Sequence, residues 1–233
     1  MPRLVQVLTV GMALTIAGAS TAGTFIGSVV FTDPTCQQRD ICELAETFVY
    51  IDNAKTGWVA DKGDKTDGAS IPRWAQRFVG YPFRPEYLAA AVLHDQYSLS
   101  VRPVNGWFQT QRMFYEALRD SGVPEIRASI LYAGVLIGSG KWITRMEGKP
   151  CPYGQTCLQN APTFVLQQEG ELFGTEGFAA SFADVASVIE AADQPLTLAE
   201  IEALALERIP NPVYLENRSG LYHANPGELY PDR

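Results

Sequence analysis

The chain has 233 residues, of which 46% are hydrophobic and 19% are charged, as is typical of a globular protein with a sizeable core. Its formal net charge of −8 argues against a nucleic acid partner, which requires a basic surface, and against purely electrostatic docking on anionic lipid.

The N-terminus has the pattern of a secretory leader. Arg3 precedes an apolar run from Leu4 to Ala19, and small residues follow up to a plausible cleavage site after Ala22. The run is short for a bilayer span, which needs about 20 apolar residues. We therefore predict that residues 1–22 are a cleaved signal peptide and that the protein is periplasmic or secreted, with no stable transmembrane span. An uncleaved anchor is the alternative.

The four cysteines agree with export. They form two pairs with five residues between the members of each, Cys36 with Cys42 and Cys151 with Cys157. An even number of cysteines in an exported chain indicates disulfides. A zinc site is the alternative, although zinc ligands are usually two to four residues apart. The spacing favours the two local disulfides and leaves crossed pairings open.

The first predicted element is a β-hairpin, and helices follow it. Residues 47–51 and 57–60 are rich in β-branched and aromatic side chains and flank the turn signal Asp52-Asn53. Proline, alanine and glycine signals then delimit three helices. The third is apolar almost all round, which is typical of a buried helix. The expected helices run from Pro85 to about Ser98, from Trp107 to Arg119, and from Pro124 to about Ile137.

The last third of the chain is predicted to be an extension of this core. A helix is expected from Glu176 to Ala192, and a capping-box pattern at Thr197 opens another that reaches Ile209. The predicted class is α+β, mainly α: a helical cluster with a small N-terminal β-hairpin and a disulfide-bearing C-terminal extension. The core domain would span residues 23–149, and the extension, residues 150–233, would pack on it.

The main candidate site is the dipeptide His94-Asp95 in the first predicted helix. Residues three and four apart share a helix face, so Asp95 lies on an apolar stripe with Ala91 and Leu88. An unpaired carboxylate is unfavourable there, so Asp95 needs backbone amides, a cation or a metal as its partner.

Adjacent residues on a helix diverge by about 100°, so Asp95 cannot easily orient His94. His94 is instead predicted to be a general base that acts on water, and Asp95 to hold a hard cation, for which calcium is the candidate. The loop at Asp67 and Gly68 would supply carbonyl oxygens, since glycine allows a close backbone approach.

Two other interpretations stay open. In the structural one, His94 bonds a carbonyl of the core and Asp95 caps the loop at Ser70. In the other, Ser70, His94 and an aspartate form a nucleophilic triad. The Gly-x-Ser-x-Gly elbow of such triads is missing, and Ser70 is well placed to cap the helix that Pro72 opens.

Four segments of the chain carry a resemblance to a known family. They are Lys65–Pro72, Ala89–Asp95, Met113–Leu118 and Gly122-Val123. Together they resemble the bacterial and phage-borne domain-of-unknown-function family numbered 1353. The resemblance covers roughly residues 46–143 and implies no settled activity.

The helix with His94 and Asp95 also resembles, more distantly, the catalytic helix of secreted phospholipases A2. In those enzymes the histidine activates water, the aspartate after it binds calcium, and an aspartate on the next helix orients the histidine. This sequence has Gln111 at the position of the orienting aspartate. An amide oxygen can fix the tautomer of His94, but it cannot stabilise an imidazolium as a carboxylate does. The resemblance therefore implies a hydrolase scaffold with weak or lost activity.

The sequence thus predicts two alternative functions. The first is a hydrolase of the cell envelope that acts on lipid ester or murein. His94 would be its base, Asp95 and Asp67 polar or calcium-binding partners, and Gln111 the residue that holds His94. The second is a non-catalytic envelope or phage-derived binding protein on the same scaffold. The first requires that His94 and Asp95 line an open pocket near the Asp67 loop.

Overall fold

The structure of the protein is a computed structural model that describes residues 22–39, 41–69, 71, 75–76, 80–98, 101–102, 104–147 and 163–223. Along these residues, strands and helices follow one another in runs. The strands are β1 (Thr24–Ile26), β2 (Cys42–Glu43), β3 (Phe48–Ile51), β4 (Gly57–Ala60), β5 (Lys65–Thr66), β6 (Lys141–Glu147), β7 (Thr163–Glu169) and β8 (Leu221–His223). The helices are a 3-10 helix (Cys36–Arg39) and the α-helices α1 (Pro85–Gln96), α2 (Trp107–Asp120), α3 (Glu125–Gly138), α4 (Glu176–Ala191), α5 (Leu198–Leu206) and α6 (Val213–Glu216).

The strands form three small sheets. One has the order β1-β3-β4 and is antiparallel, and a second consists of β2 and β5. In the third, β6 lies between β7, which is antiparallel to it, and β8, which is parallel. β5 runs directly into the Asp67 loop, so the second sheet fixes one wall of the candidate site.

The hairpin β3–β4 follows from alternating side chains. Phe48 and Tyr50 of β3 are buried, as are Trp58 and Ala60 of β4, while the residues between them are partly exposed. Tyr50 lies opposite Trp58 in the antiparallel register. Period-two alternation buries one face of such a sheet, and here that face joins the main hydrophobic core.

The helices pack around α3, which contacts α2, α4 and α5, while α1 packs against α2. Ten of the fourteen residues of α3 are buried, in agreement with its apolar sequence. Pro85 opens α1 at a position where a missing N–H is harmless. In α5 the Thr197 side chain accepts from the Glu200 amide and the Glu200 side chain accepts from the Thr197 amide, so the predicted capping box is present.

The predicted mixture of helix and strand is confirmed, whereas the description as mainly helical with one small hairpin fits only roughly. β1 extends the hairpin to a three-stranded sheet, and a second three-stranded sheet follows α3. The helix expected to reach Ile209 ends at Leu206, and the chain after Pro210 forms α6 and β8.

The disulfide Cys36–Cys42 is present, as predicted. It joins the 3-10 helix to β2, and both cysteines are buried against Phe83. The pair Cys151 and Cys157 lies outside the described residues. Within the described ranges, no helix is both long and apolar enough to cross a bilayer.

Candidate functional site

A cavity of about 270 Å³ lies between the Asp67 loop and helices α1, α2 and α3, and the segment after β7 closes its far side. His94, Asp95 and Gln111 line this cavity, together with Asp67 and Gly68. The structure therefore brings together five of the six residues that the sequence predicted for the catalytic group and the binding loop. The sixth, Ser70, lies outside the described residues.

His94 is held by the following helix. Its Nε2 lies 2.8 Å from Oε1 of Gln111, and its ring packs on Phe114 with 4.9 Å between the ring centroids. The Gln111 side chain is almost completely buried, so its position beside His94 is restricted. Because an amide oxygen can only accept, Nε2 carries the proton in this contact and Nδ1 carries the lone pair.

The environment of His94 favours its neutral form. Burial lowers the pKa of the imidazole from its ordinary value, and the hydrogen bond to Gln111 offsets this only partly. The side chain nevertheless keeps part of its surface exposed, on the wall of the cavity. A neutral imidazole with a lone pair on Nδ1 has the properties that a general base requires.

Asp95 is hydrogen-bonded by Thr66 at the end of β5 and by the loop that follows. Its Oδ2 accepts from the hydroxyl of Thr66, 2.5 Å away, and the backbone amide of Asp67 also bonds to it. Burial nevertheless raises the pKa of Asp95 well above its ordinary value, and the negative charges of Asp67 and Glu171 raise it further. The hydrogen bonds from Thr66 and Asp67 offset this only partly, so Asp95 keeps its proton to a higher pH than an ordinary aspartate does.

The Asp67 loop is shaped by glycine. Gly68 has a φ of +80°, and a Cβ atom there would lie 3.0 Å from the carbonyl oxygen of Pro82. Its amide donates to the Thr66 hydroxyl at 3.0 Å, and that hydroxyl in turn donates to Asp95. Only glycine meets both the left-handed backbone and the close approach, so Gly68 positions the hydroxyl that reaches Asp95.

Glu171 is a site residue that was not predicted from the sequence. It follows β7, is exposed, and lines the cavity near Asp67. The sequence places it in an acidic group with Glu169 and Glu176, a pattern that is usually a solvated loop. Its position in the site depends on how the chain after β7 folds back over α3. No local feature of the sequence predicts that course.

The rest of the cavity wall is largely apolar. Its side chains come from α1, α2, α3 and the C-terminal part of the chain, and they include Ala91, Leu131, Val135, Trp142, Phe173, Phe178 and Phe182. Gly134 on α3 leaves room for Phe182, since a Cβ atom at Gly134 would lie 2.9 Å from its ring. The cavity thus has a polar end at His94 and Asp95 and a broad apolar end.

The predicted calcium site is not assembled by the described side chains. Within the ranges that the structure describes, no group of three or more histidine, cysteine, aspartate or glutamate side chains could hold a metal ion. Calcium takes six to eight oxygen ligands, part of which can be backbone carbonyls such as those expected from the Asp67 loop. Calcium binding therefore stays a prediction, and no chemical step is derived through it.

The fold and cavity define a mixed α/β protein in which a buried glutamine holds a pocket-lining histidine. The family model described as "Protein of unknown function (DUF1353)" matches residues 42–135, which include Asp67, His94, Asp95 and Gln111. The chain belongs to this family, and the resemblance predicted from the sequence is confirmed. Glu171 and three of the four phenylalanines that line the cavity, Phe173, Phe178 and Phe182, lie outside the matched residues.

Two relatives come from Sinorhizobium fredii. The chain is 34% identical to "Uncharacterized protein y4iH" over 180 residues, which cover 75% of this chain and 74% of the relative. It is 30% identical to "Uncharacterized protein y4jT" over 171 residues, which cover 67% of this chain and 49% of that relative. The chain therefore spans about half the length of the second protein. No solved structure matches significantly. The likeness to phospholipases A2 stays a prediction.

Proposed function

We propose that the protein is a hydrolase in which His94 activates water. The contact between His94 Nε2 and Gln111 Oε1 carries the proposal, because it fixes the tautomer that leaves the Nδ1 lone pair available on a ring that lines a cavity. Among the described residues, no hydrogen-bond partner occupies Nδ1.

In the proposed reaction, Nδ1 takes a proton from water as the hydroxide oxygen bonds to the carbonyl carbon of an ester. The bond between this carbon and the leaving oxygen then breaks, and the leaving oxygen takes a proton from the imidazolium or from the neutral carboxyl of Asp95. The Thr66 hydroxyl and the Asp67 amide hold that carboxyl in place. Gln111 keeps the imidazole oriented throughout, without the charge compensation that a carboxylate provides.

The shape of the cavity supports a lipid ester over murein as the substrate. Its apolar end, with Phe178 and Phe182, matches an aliphatic chain, whereas murein is polar throughout. The acidic residues Asp67 and Glu171 lie at the other end and disfavour an anionic headgroup beside the ester.

The test compares wild-type protein with His94→Gln and His94→Ala on neutral phospholipid vesicles, on short and long p-nitrophenyl esters, and on murein. Each is measured with added calcium and with chelator. We expect wild-type turnover that favours long acyl chains and falls at least about 100-fold in both variants, the lower range of general-base contributions. Equal rates for all three proteins on every substrate would contradict the proposal.

Gln111→Glu tests the same site with a change that should increase turnover rather than decrease it. A carboxylate of equal length would raise the pKa of His94 and stabilise the imidazolium, so turnover should rise and its pH profile should shift to higher pH. Gln168→Glu, on β7 and away from the cavity, is the matched control for the added charge. A rate unchanged or lowered by Gln111→Glu, in a variant shown by circular dichroism to be folded, would argue against a catalytic His94.

Gln111 itself favours a second candidate, a binding protein that uses the same cavity without turnover. The buried amide oxygen can accept a hydrogen bond from His94, but it adds no negative charge when the ring is protonated. This candidate predicts that a fluorescent fatty alcohol or neutral lipid binds wild-type protein and is retained by His94→Ala. No substrate would then be hydrolysed.

We further propose that the protein acts in the periplasm or outside the cell. The leader-like residues 1–22 and the disulfide Cys36–Cys42 support this location. Fractionation of cells that express the full chain tests it, since the processed protein should be found outside the cytoplasm. Recovery of unprocessed protein from the cytoplasm alone would contradict it.

A further inference from the structure

One carboxylate near the N-terminal end of the described chain binds two donors from distant segments. The backbone N–H of Gly23 donates to Oδ2 of Asp120 at 2.8 Å, and the hydroxyl of Tyr50 donates to the same oxygen at 2.6 Å. Gly23 lies just before β1, Asp120 is the last residue of α2, and the two are 97 positions apart. The amide of Gly23 is thus joined to the helical core by a partly buried contact.

This contact has room only for glycine at position 23. A Cβ atom there would lie 2.6 Å from ring atoms Cε2 and Cζ of Tyr50. The ring of Tyr50 cannot easily give way, because it is fully buried, lies 4.7 Å from the ring of Phe25, and has its hydroxyl bonded to Asp120. The nitrogen of residue 23 can therefore reach Asp120 only in a chain that has no side chain there.

The surroundings of Asp120 carry a surplus of negative charge. Asp52, Glu116 and Asp120 all act on the hydroxyl of Tyr50 and, together with burial, raise its pKa. The indole N–H of Trp58 donates to Asp52, and the backbone N–H of Asn53 donates to Glu116.

Asp120 itself has no cationic partner within the described ranges. Arg119, its neighbour in the chain, pairs with Glu125 instead. Arg112 approaches Glu116 and makes its ion pair with Glu202. The site therefore lacks the positive charge that three carboxylates would favour.

We propose that the peptide bond between Ala22 and Gly23 is a processing site, and that the α-ammonium group released on Gly23 forms an ion pair with Asp120. A signal-peptidase-type protease adds one water across this bond. A carboxylate remains on Ala22, and the new amino group of Gly23 takes up a proton. The sequence pattern favours a cut after Ala22, and the residue that would then begin the mature chain is the one whose nitrogen already reaches Asp120.

Processing strengthens a contact that already exists. Before cleavage, one neutral N–H reaches Asp120, whereas afterwards a charged group with three donors occupies the same place. Hydrogen bonds between charged partners are shorter and stronger than neutral ones, and partial burial limits their screening by salt. Cleavage would thereby strengthen the attachment of β1, and of the sheet β1-β3-β4 to which it belongs, to the C-terminal end of α2.

The experiment expresses the full chain in an exporting bacterial host and determines the intact mass of the exported protein. Three variants are compared with it: Asp120→Asn, insertion of one asparagine between Ala22 and Gly23, and both changes together. The insertion moves the new α-ammonium one residue away from Asp120 while it preserves the small residues before the cut. Denaturant midpoints of the four proteins form a double-mutant cycle.

We expect the exported wild type to begin at Gly23. Each single change should lower the midpoint, and the double change should lower it no further than Asp120→Asn does. The pKa of the α-ammonium should lie above its ordinary range of about 7.7–8.0. Since pairing raises it, the stabilisation is complete below that range and is lost as the pH rises through the pKa of the folded protein.

An N-terminus at a residue other than 23, or additive effects of the two changes, would overturn the proposal. Isotope-edited NMR of the α-amino group keeps the test independent of folding yield, because the exported wild type alone suffices. An α-amino pKa within its ordinary range would also overturn the proposal.

Discussion

His94 and Asp95 are neighbours on α1 whose pKa values move in opposite directions for one reason. Burial disfavours the charged form of each, which lowers the pKa of the imidazole and raises that of the carboxyl. Each group therefore favours its neutral form more than an exposed group of the same kind would. Titratable neighbours with pKa values shifted in this manner are typical of catalytic sites, although buried structural groups also show such shifts.

Asp95 is expected to reduce stability at neutral pH. Its pKa in the folded protein is raised above the unfolded value, so its contribution is most favourable at low pH and is lost as the pH rises toward the folded pKa. Asp95→Asn should therefore stabilise the protein by about 1 kcal/mol at pH 7, and the gain should vanish near pH 4. Chemical denaturation across this range measures it, with exposed Glu190→Gln as control. A loss of stability at pH 7 would show that the ionised carboxylate is required.

At the scale of single elements, packing between small and large residues shapes the cavity. Gly134 and Gly138 lie one turn apart on α3 and face phenylalanines of the C-terminal part. A Cβ atom at Gly134 would lie 2.9 Å from the ring of Phe182, and one at Gly138 would lie 2.6 Å from that of Phe178. The two glycines allow α4 to approach α3 closely enough for its aromatic side chains to close the apolar end.

Gly134→Ala should therefore overpack this interface and destabilise the protein by about 1–3 kcal/mol. Gly177→Ala, in the first turn of α4, is the matched control, because nothing lies within 4 Å of its Cβ position. The control should be neutral or stabilising by about 0.4–1 kcal/mol. Thermal unfolding of both variants provides the measurement. Equal effects would mean that Phe182 adjusts its position without cost.

Local signals in the sequence predicted the helices α1 to α5 and the pairing of β3 with β4, although the hairpin is part of a larger sheet. The alternation in β3, Pro85 at the start of α1 and the capping box at Thr197 act within a few residues, so they can be read from the sequence. β6, β7 and β8 were missed because their pairing depends on contacts between distant segments. β8, for example, pairs with β6 across more than seventy residues.

The candidate site was predictable to a similar degree. Helical spacing placed Asp95 on an apolar stripe beside His94, and the resemblance to phospholipases A2 pointed to Gln111, which is buried in the structure. The partners of Asp95 could not be predicted individually, because Thr66 reaches it from a two-residue strand 29 positions away. Glu171 was not predicted because it, too, reaches the site from a distant part of the sequence.

At the scale of the whole molecule, a buried charge ties the C-terminal part to the family-matched core. Glu202 of α5 is 2% exposed and accepts from the hydroxyl of Tyr132 on α3 at 2.8 Å. It also forms ion pairs with Arg112 of α2 and, at 3.0 Å, with Arg218 after α6. Four segments thus meet at one carboxylate, close to the helices that form the cavity.

Glu202→Gln should destabilise the protein by about 3–5 kcal/mol, because it leaves the partly buried Arg112 without its counterion. Glu207→Gln is the control, since its exposed pair with Arg208 should contribute at most about 1 kcal/mol. Urea unfolding compares the two variants. Similar small effects would show that the C-terminal part is held by apolar packing alone.

The most direct test of the proposed function is the protonation state of His94, measured by ¹⁵N NMR of histidine-labelled protein as a function of pH. Its pKa should lie below the ordinary 6.5, and at pH 7 the ring should be neutral with the proton on Nε2 and the lone pair on Nδ1. Gln111→Leu should abolish this tautomer preference. A proton on Nδ1 in the wild-type protein, or a pKa above 6.5, would contradict the assignment of His94 as the base.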